Sequence, residues 1–497
     1  MSQVPGDLHP KLVKSFPELL VEPITKIFNK ITSSSVYPCQ WKEEHQVPIP
    51  KVEMPESEDD LRNIAKTAFF SKVYESFVAD WLLNIIGPYF DPNQYGVKGL
   101  STTHYLIKFL HFIQSQMDQK RPQAVLALYL DLSKAYNRVN HSLVIEDLYL
   151  MHTPAWLMKI VFSYLSQRSM VMNYMGTISN PRTINGGTPQ GAFLGGIIFM
   201  IKFKGALLRP PISRPLTESL SKSKSVTVKY VDDGSVAVSI DLKCSLKQDL
   251  QRERPLNFHE RTHHYLPPSE NLLQYHMQDA ESFAKENDMK VNQKKKSIML
   301  FNKAKKWDFP PELVYQDGSQ VEVIEETKLV GVMLTRDLKW ESNTNYICKK
   351  ARNKLWLLRR IKQFGLGRSF MFDLYTKEIR SLLEMCVPVW HSGLTNQQSN
   401  SIERIQKMAL RIILGERYLN YKNALDIFGT QSLHQRRNHI CTVFARKNLK
   451  SDRSFFEPEQ KTKNTRRNSK IVKEFTCRSS RYSKSSLPFL AKLINQS

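Results

Sequence analysis

SVTVKYVDDGSVAVSI, from Ser225 to Ile240, is the stretch whose reading decides the fold. Two runs with a period of two flank the tetrad Tyr230-Val231-Asp232-Asp233. Val226, Val228 and Tyr230 share one face of the first run, and Val236, Val238 and Ile240 share one face of the second. Such alternation makes strands, and Asp233–Gly234 is a strong short hairpin signal, so the pattern predicts a β-hairpin with two adjacent carboxylates at its tip. One Asp there is an ordinary solvated turn residue. Two in succession repel each other unless a cation lies between them. From these residues alone, a solvated turn and half of a cation site both remain open.

A second apolar run, VLALYL from Val125 to Leu130, ends in Asp131. Beyond it, LSKAYNRVNHSLVIEDLYL places Ala135, Val139, Leu143, Leu148 and Leu150 at helical spacing, so a strand followed by a helix is expected. Asp131 is then either the N-cap of that helix or a third acid delivered at a strand end. Hard cations such as magnesium take oxygen ligands and keep waters and substrate phosphates in their shell. Two such ions about 4 Å apart serve the attacking and leaving oxygens of phosphoryl transfer. Between the acids lies NGGTPQGAFLGG, Asn185 to Gly196, whose five glycines let the backbone approach something closely. A tight loop before a buried helix is the plainer reading, and the apolar run from Ile197 to Phe203 is expected to return into a core.

DLSKAYNRV from Asp131, GGTPQG from Gly186 and YVDD from Tyr230 stand in this order and resemble motifs A, B and C of reverse transcriptases, most nearly those of non-LTR (LINE-type) retrotransposons. VPIPK at Val47–Lys51 and LRNIAKTAFFSKVYE at Leu61–Glu75 resemble the fingers motifs of that family. QYGVKGLSTTH at Gln94–His104, MKVNQKKKSIMLF at Met289–Phe301 and KLVGVMLTRDLKW at Lys328–Trp340 resemble its QFGF segment, motif D and primer grip.

The resemblance implies an α+β fold of the right-hand polymerase type: fingers, a palm with an antiparallel sheet, and a helical thumb. It divides the chain into an N-terminal helical extension (1–40), fingers (41–123), palm (124–340), thumb or connection (341–435) and a basic C-terminal tail (436–497). It further implies that Asp131, Asp232 and Asp233 bind two magnesium ions, with manganese able to substitute. Tyr136 would lie under the sugar of the incoming nucleotide and disfavour a 2′-hydroxyl. Lys51 and Arg62 would hold the triphosphate, as an ammonium point charge and a bidentate guanidinium. Gln190 and Gly191 would position template and nucleotide, and Lys295, or its neighbour Lys294 or Lys296, would protonate the pyrophosphate. Outside that frame, Lys51 and Arg62 read as solvated charges and Tyr136 as core packing. Asn137 departs from the Asp that many relatives carry, which implies less ion pairing rather than lost chemistry.

The implied activity is RNA-directed DNA polymerisation, with RNA template, DNA primer and dNTPs as partners. The alternative is a remnant that binds nucleic acid without turnover. Tyr136, and YVDD in place of a Gly-Asp-Asp turn, disfavour an RNA replicase. PGDLHPKLVK, from Pro5, resembles the run just before the polymerase core, so an endonuclease-lacking element without evident RNase H is expected.

Composition fits a polyanionic partner: 72 Lys and Arg stand against 47 Asp and Glu, a net charge of +25. From Arg436 onward there are 16 basic and 4 acidic residues, which reads as a flexible tail that binds nucleic acid or directs the chain to the nucleus. Six cysteines in no metal spacing read as reduced intracellular thiols. His263 and His264 sit in a polar stretch read as a surface insertion after the hairpin. No apolar run reaches the ~20 residues of a membrane span, so no membrane partner is expected. Helices are expected over Leu12–Ile31, over Leu272–Glu286, and from Asn343 onward, where Ile347, Ala351, Leu355 and Leu358 share a face opposite a basic one. A second hairpin is expected over Val314–Val323. Oligomeric state is not legible.

Overall fold

The computed structural model describes residues 7–52, 54–120, 123–204, 224–241, 272–292, 296–302, 320–458 and 470–496. Lys294, Lys295, the insertion carrying His263 and His264, and most of the Val314–Val323 stretch lie outside the described residues.

The architecture is α+β with two five-stranded sheets among the described residues, of which one is central. The strands of the central sheet, edge to edge, are Glu322–Val323, Ser297–Phe301, Gln123–Leu130, Asp233–Asp241 and Ser225–Tyr230. All pairings are antiparallel except that of Glu322–Val323. The central strand reads as an unbroken apolar run because both of its faces are covered. Leu126, Leu128 and Leu130 alternate into one core, with Val236, Val238, Ile298 and the helices Phe193–Phe203 and Leu272–Glu286. Val125, Ala127 and Tyr129 alternate into the other, against the helix Thr102–Met117 and the helices beyond residue 340. A period of two thus assigns successive residues of one strand to two separate cores.

A second sheet lies toward the N-terminus. Glu43–Pro50 pairs antiparallel with Leu61–Lys66 and parallel with Arg168–Tyr174. The expected helix over Leu12–Ile31 is two helices, Pro10–Ser15 and Pro17–Ser34, which meet at Phe16 (φ −132°, ψ 53°) just before Pro17. A residue before proline is driven out of the helical region, which accounts for the break.

Past the central sheet, the hairpin Glu326–Leu329 and Val332–Thr335 leads into the helix Glu341–Gln363. That helix buries Ile347, Ala351, Leu355 and Leu358, the face expected from sequence, and packs against Asn396–Leu414.

The chain beyond Arg436, expected as a flexible tail, is folded wherever it is described. Leu433–Leu449 and Ser486–Gln496 are helices, and Leu487, Leu490, Ala491 and Ile494 are buried. Asp118 fixes the return path by accepting from the Arg478 and Ser479 amides at 2.7 and 3.1 Å. Arg446, Lys447 and Lys492 are exposed on helices whose other faces are apolar, while the basic run over 459–469 lies outside the described residues.

Candidate active site

Three strand ends converge at one edge of the central sheet. In the register of the two central strands, Leu130 faces Gly234 and Tyr129 faces Ser235, so one further step brings Asp131 to Asp233. On the hairpin Tyr230 pairs with Asp233, which leaves Val231 and Asp232 as the turn. The turn therefore falls two residues before the expected Asp233–Gly234, and those two residues open the second strand. Val231 takes the positive φ the turn requires, at 58°. The register holds because shifting it by one would send the apolar residues of the second strand to the wrong cores.

Asp131 does not cap a helix. The chain after it forms a two-residue strand, Leu132–Ser133, which pairs with Lys290–Val291, then a 3-10 turn over Ala135–Arg138. The helix begins only at His141, capped by Asn140, whose side chain accepts from the Ser142 and Leu143 amides. Lys134 at φ 49° breaks the helical path that the apolar spacing suggested. Asn292 grips Asp131 twice: its amide donates to the Asp131 carbonyl at 2.8 Å, and its Nδ2 donates to Oδ2 at 3.2 Å.

The 3-10 turn places Tyr136 beside the acids. Its ring stacks on Phe199 at 5.0 Å and 17°. Burial, and then the nearby Asp232 charge, push its hydroxyl up to about 12. Tyr136 thus packs on the core and borders Asp232.

The glycine loop wraps this turn. Gly187 and Thr188 donate to the carbonyls of Val139 and Tyr136, each at 2.8 Å. At Gly187 φ is 83°, and a Cβ would stand 2.9 Å from both Asn137 Cα and the Tyr136 oxygen, so only glycine allows the approach. Gln190 uses its backbone oxygen to accept from Ala65 on the Leu61–Lys66 strand at 3.1 Å, tying the loop to the second sheet. Gly191, at φ 106°, lies beside the same residue.

Arg62 projects from that strand, opposite Ile49 in register, and is exposed. Lys51 is exposed two residues beyond Ile49, and its amide donates to Asp60 at 2.7 Å. Alternation sets Lys51 and Arg62 toward one face of this hairpin. Of the three lysines only Lys296 is described: it is 1% exposed, with its Nζ 2.6 Å from Glu281.

Several supporting residues escaped sequence reasoning. Lys229, at a strand position that looked polar, is fully buried with its Nζ 2.7 Å from Asp91, and it also donates to the carbonyls of Phe203 and Lys204. Gln94 holds the Val231 turn with its side chain. Glu75, fully buried, accepts from the Leu194 amide at 3.3 Å at the start of the helix after the glycine loop, and from Ser71 at 3.0 Å. Burial raises its carboxyl above the ordinary range. An isolated Lys, Gln or Glu carries no local signal of burial. Only the placement of Gln94 and Asp91 on a segment bridged to Lys229 reveals their part.

Residues 49–334 match the family described as reverse transcriptase (RNA-dependent DNA polymerase). The chain belongs to that family. Its α+β architecture is that of the family's right-hand polymerase fold, and it is similar to LINE-type enzymes. It is 24% identical over 416 residues to the probable RNA-directed DNA polymerase from transposon X-element of Drosophila melanogaster, covering 81% of this chain and 41% of that protein. It is 23% identical over 242 residues to the RNA-directed DNA polymerase from mobile element jockey of the same fly, covering 48% and 26%. The chain thus spans 41% or less of the length of these curated relatives. Among solved structures, apo telomerase from Candida tropicalis superposes with a TM-score of 0.42 at 12% identity, covering 87% of this chain and 71% of that one.

Reverse transcriptases work with divalent metal ions. The donor set fits such ions, because three half-buried carboxylates at two adjoining strand ends are hard oxygen ligands. Among the described residues, no three His, Cys, Asp or Glu side chains, Asp131, Asp232 and Asp233 included, come together closely enough to hold a metal ion by themselves. An open set, to be completed by water and phosphate, is how magnesium is usually bound. The five described cysteines are free thiols. No helix of the described residues is long and apolar enough to cross a membrane.

Proposed function

We propose that this chain is an RNA-directed DNA polymerase that adds dNTPs to a primer 3′-hydroxyl on an RNA template. The observation that carries the reading is the register that brings Asp131, at the end of the central strand, beside the Asp232–Asp233 hairpin. Asp131, Asp232 and Asp233 would hold two magnesium ions, which would lower the charge barrier between the primer oxygen and the triphosphate.

Everything else in the step is positioning and charge stabilisation. Tyr136, backed by Phe199, sits against the sugar and disfavours a 2′-hydroxyl. Gln190 and Gly191 form the floor for the templated pair, held in register by the bond from Ala65. Lys51 and Arg62 meet the triphosphate from the fingers hairpin. Lys295 supplies the proton to pyrophosphate. In this reading residues 1–40 form an N-terminal helical extension, 41–123 are fingers, 124–340 palm, 341–435 thumb and 436–497 a basic C-terminal segment. The basic helix Glu341–Gln363 serves the duplex backbone.

Primer extension on an RNA template tests the proposal, run beside Asp232→Asn with Asp233→Asn. Extension by the unaltered protein should vanish in the double variant. Activity that survives it would sink the site assignment, and incorporation of NTPs in preference to dNTPs would sink the role of Tyr136.

A further inference from the structure

Val231 forms the turn between Tyr230 and Asp232 at φ 58°. A β-branched residue in the left-handed region is a backbone outlier that persists only where its surroundings over-determine it. Gln94 does so. It is 3% exposed, and its Oε1 accepts from the Val231 amide at 2.9 Å and from the Gly96 amide at 2.8 Å. Its Nε2 donates to the Val231 carbonyl at 3.3 Å. The Val231 amide belongs to the peptide before the turn residue, and its carbonyl to the peptide leading into Asp232. One side chain therefore grips both peptide planes that flank the strained residue.

The grip is itself anchored. The Lys229 amide donates to Asn93 at 2.9 Å, and the Tyr95 amide donates back to Lys229 at 2.8 Å. Gly96 presses on the turn so closely that a Cβ there would stand 2.8 Å from Val231 Cγ2. On the far side Arg453 donates to the carbonyls of Pro92 and Gln94 at 3.3 and 3.1 Å. A segment some 360 residues downstream thus steadies the backbone of the gripping residue.

We infer that Gln94 is a positioning residue, which holds the Val231 turn and so fixes the direction in which Asp232 presents its carboxylate. Gln94 touches neither substrate nor ion; it acts through the two peptides on either side of Val231. The inference rests on the polymerase reading for the purpose of that carboxylate, but not for the grip itself.

The test uses Gln94→Met, which keeps the length and removes both polar atoms, in the full chain. Mn2+ affinity is read by electron paramagnetic resonance without nucleotide, template–primer affinity by anisotropy, and amide exchange over residues 225–240 by mass spectrometry. Gln94→Met should weaken Mn2+ binding roughly 10-fold or more, as loss of a group that orients a metal ligand does, with template–primer affinity unchanged. Exchange at the hairpin should rise. Val231→Gly relieves the strain, so Gln94→Met added to it should weaken Mn2+ binding by less than about 3-fold, since coupled sites are not additive.

Unchanged hairpin exchange or unchanged Mn2+ affinity in folded Gln94→Met overturns the inference. So do losses that simply multiply in the double variant. Should Gln94→Met fail to fold, Gln94→Glu, which keeps the Oε1 acceptor and loses the Nε2 donor to the Val231 carbonyl, is read by amide exchange alone, and an unchanged hairpin there overturns the inference. An unaltered protein that binds no Mn2+ and extends no primer would refute the polymerase reading, while the exchange data would still judge the grip.

Discussion

Replacing Lys229 by Met should be among the most damaging single changes in the central sheet. Lys229 is fully buried and Asp91 is 1% exposed at its side chain, with 2.7 Å between Nζ and Oδ2. Burial pulls the ammonium pKa down and the Asp91 charge pulls it back up, so each charge depends on the other. Removing one partner leaves a buried carboxylate unpaired, which typically costs about 3–5 kcal/mol. At about 2–4 °C per kcal/mol for large domains, the melting midpoint should fall by roughly 6–20 °C, toward the low end for a chain of this length. Removing both charges, Lys229→Met with Asp91→Leu, should restore most of that loss, because apolar replacement of a buried pair is often neutral or better. The carbonyls of Phe203 and Lys204, which lose their donor, keep the recovery incomplete. Differential scanning fluorimetry on the four proteins of the cycle gives the answer. If Lys229→Met moves the midpoint by less than about 2 °C, or the double variant is worse than either single, the pair is not the anchor described here.

Acid should destabilise the fold between about pH 6.5 and 4. Burial holds His111, His276 and His391 down to about 4, so the unfolded chain binds more protons in that window and stability falls as pH falls. A melting midpoint that stays flat from pH 7 to 5 would contradict this. Among the described residues neither buried ring nitrogen of His276 has a hydrogen-bond partner, so His276→Leu should stabilise by about 1–3 kcal/mol and soften the acid limb, checked by urea melts. Glu75 acts with the opposite sign: its raised carboxyl pKa means a contribution that is complete below the unfolded value and lost as pH rises through the folded one. Glu75→Gln should therefore raise the midpoint at pH 7, provided the amide oxygen still takes the Leu194 hydrogen bond. Tyr136→Ala should reduce discrimination against NTPs on the order of 10-fold or more, whereas Tyr136→Phe, which keeps the stack on Phe199, should not; single-nucleotide incorporation distinguishes them. Gly187→Ala should destabilise by about 1–3 kcal/mol and depress extension, since the new methyl meets backbone at 2.9 Å; a variant with normal stability and rate would count against the loop's close approach.

The acids and their strands were legible because each signal is local. Alternation in Ser225–Ile240 and the apolar run ending at Asp131 both survive in the structure, and so does the apolar face of Glu341–Gln363. The exact turn was not legible, since Asp-Gly is the better local turn sequence and lost to the register that both cores impose. The helix expected after Asp131 starts only at His141 for a related reason: Leu132–Ser133 found a strand partner about 160 residues away. The tail expected to be flexible is folded where it is described, because charge counts do not show which face of a helix is buried.

The sequence by itself therefore determined the chemistry available: three carboxylates, an aromatic five residues after the first, and a glycine loop between them. Those are properties of residue type and spacing, and they persist whatever the chain packs against. Only the tertiary structure decided what holds them. Gln94, Asp91, Lys229 and Glu75 are polar residues that become supports because long-range pairing buries them, and Asn292 is a half-buried support of Asp131. Burial removes competing water, and a lone polar side chain then has to satisfy its partner in one geometry, which no local pattern records.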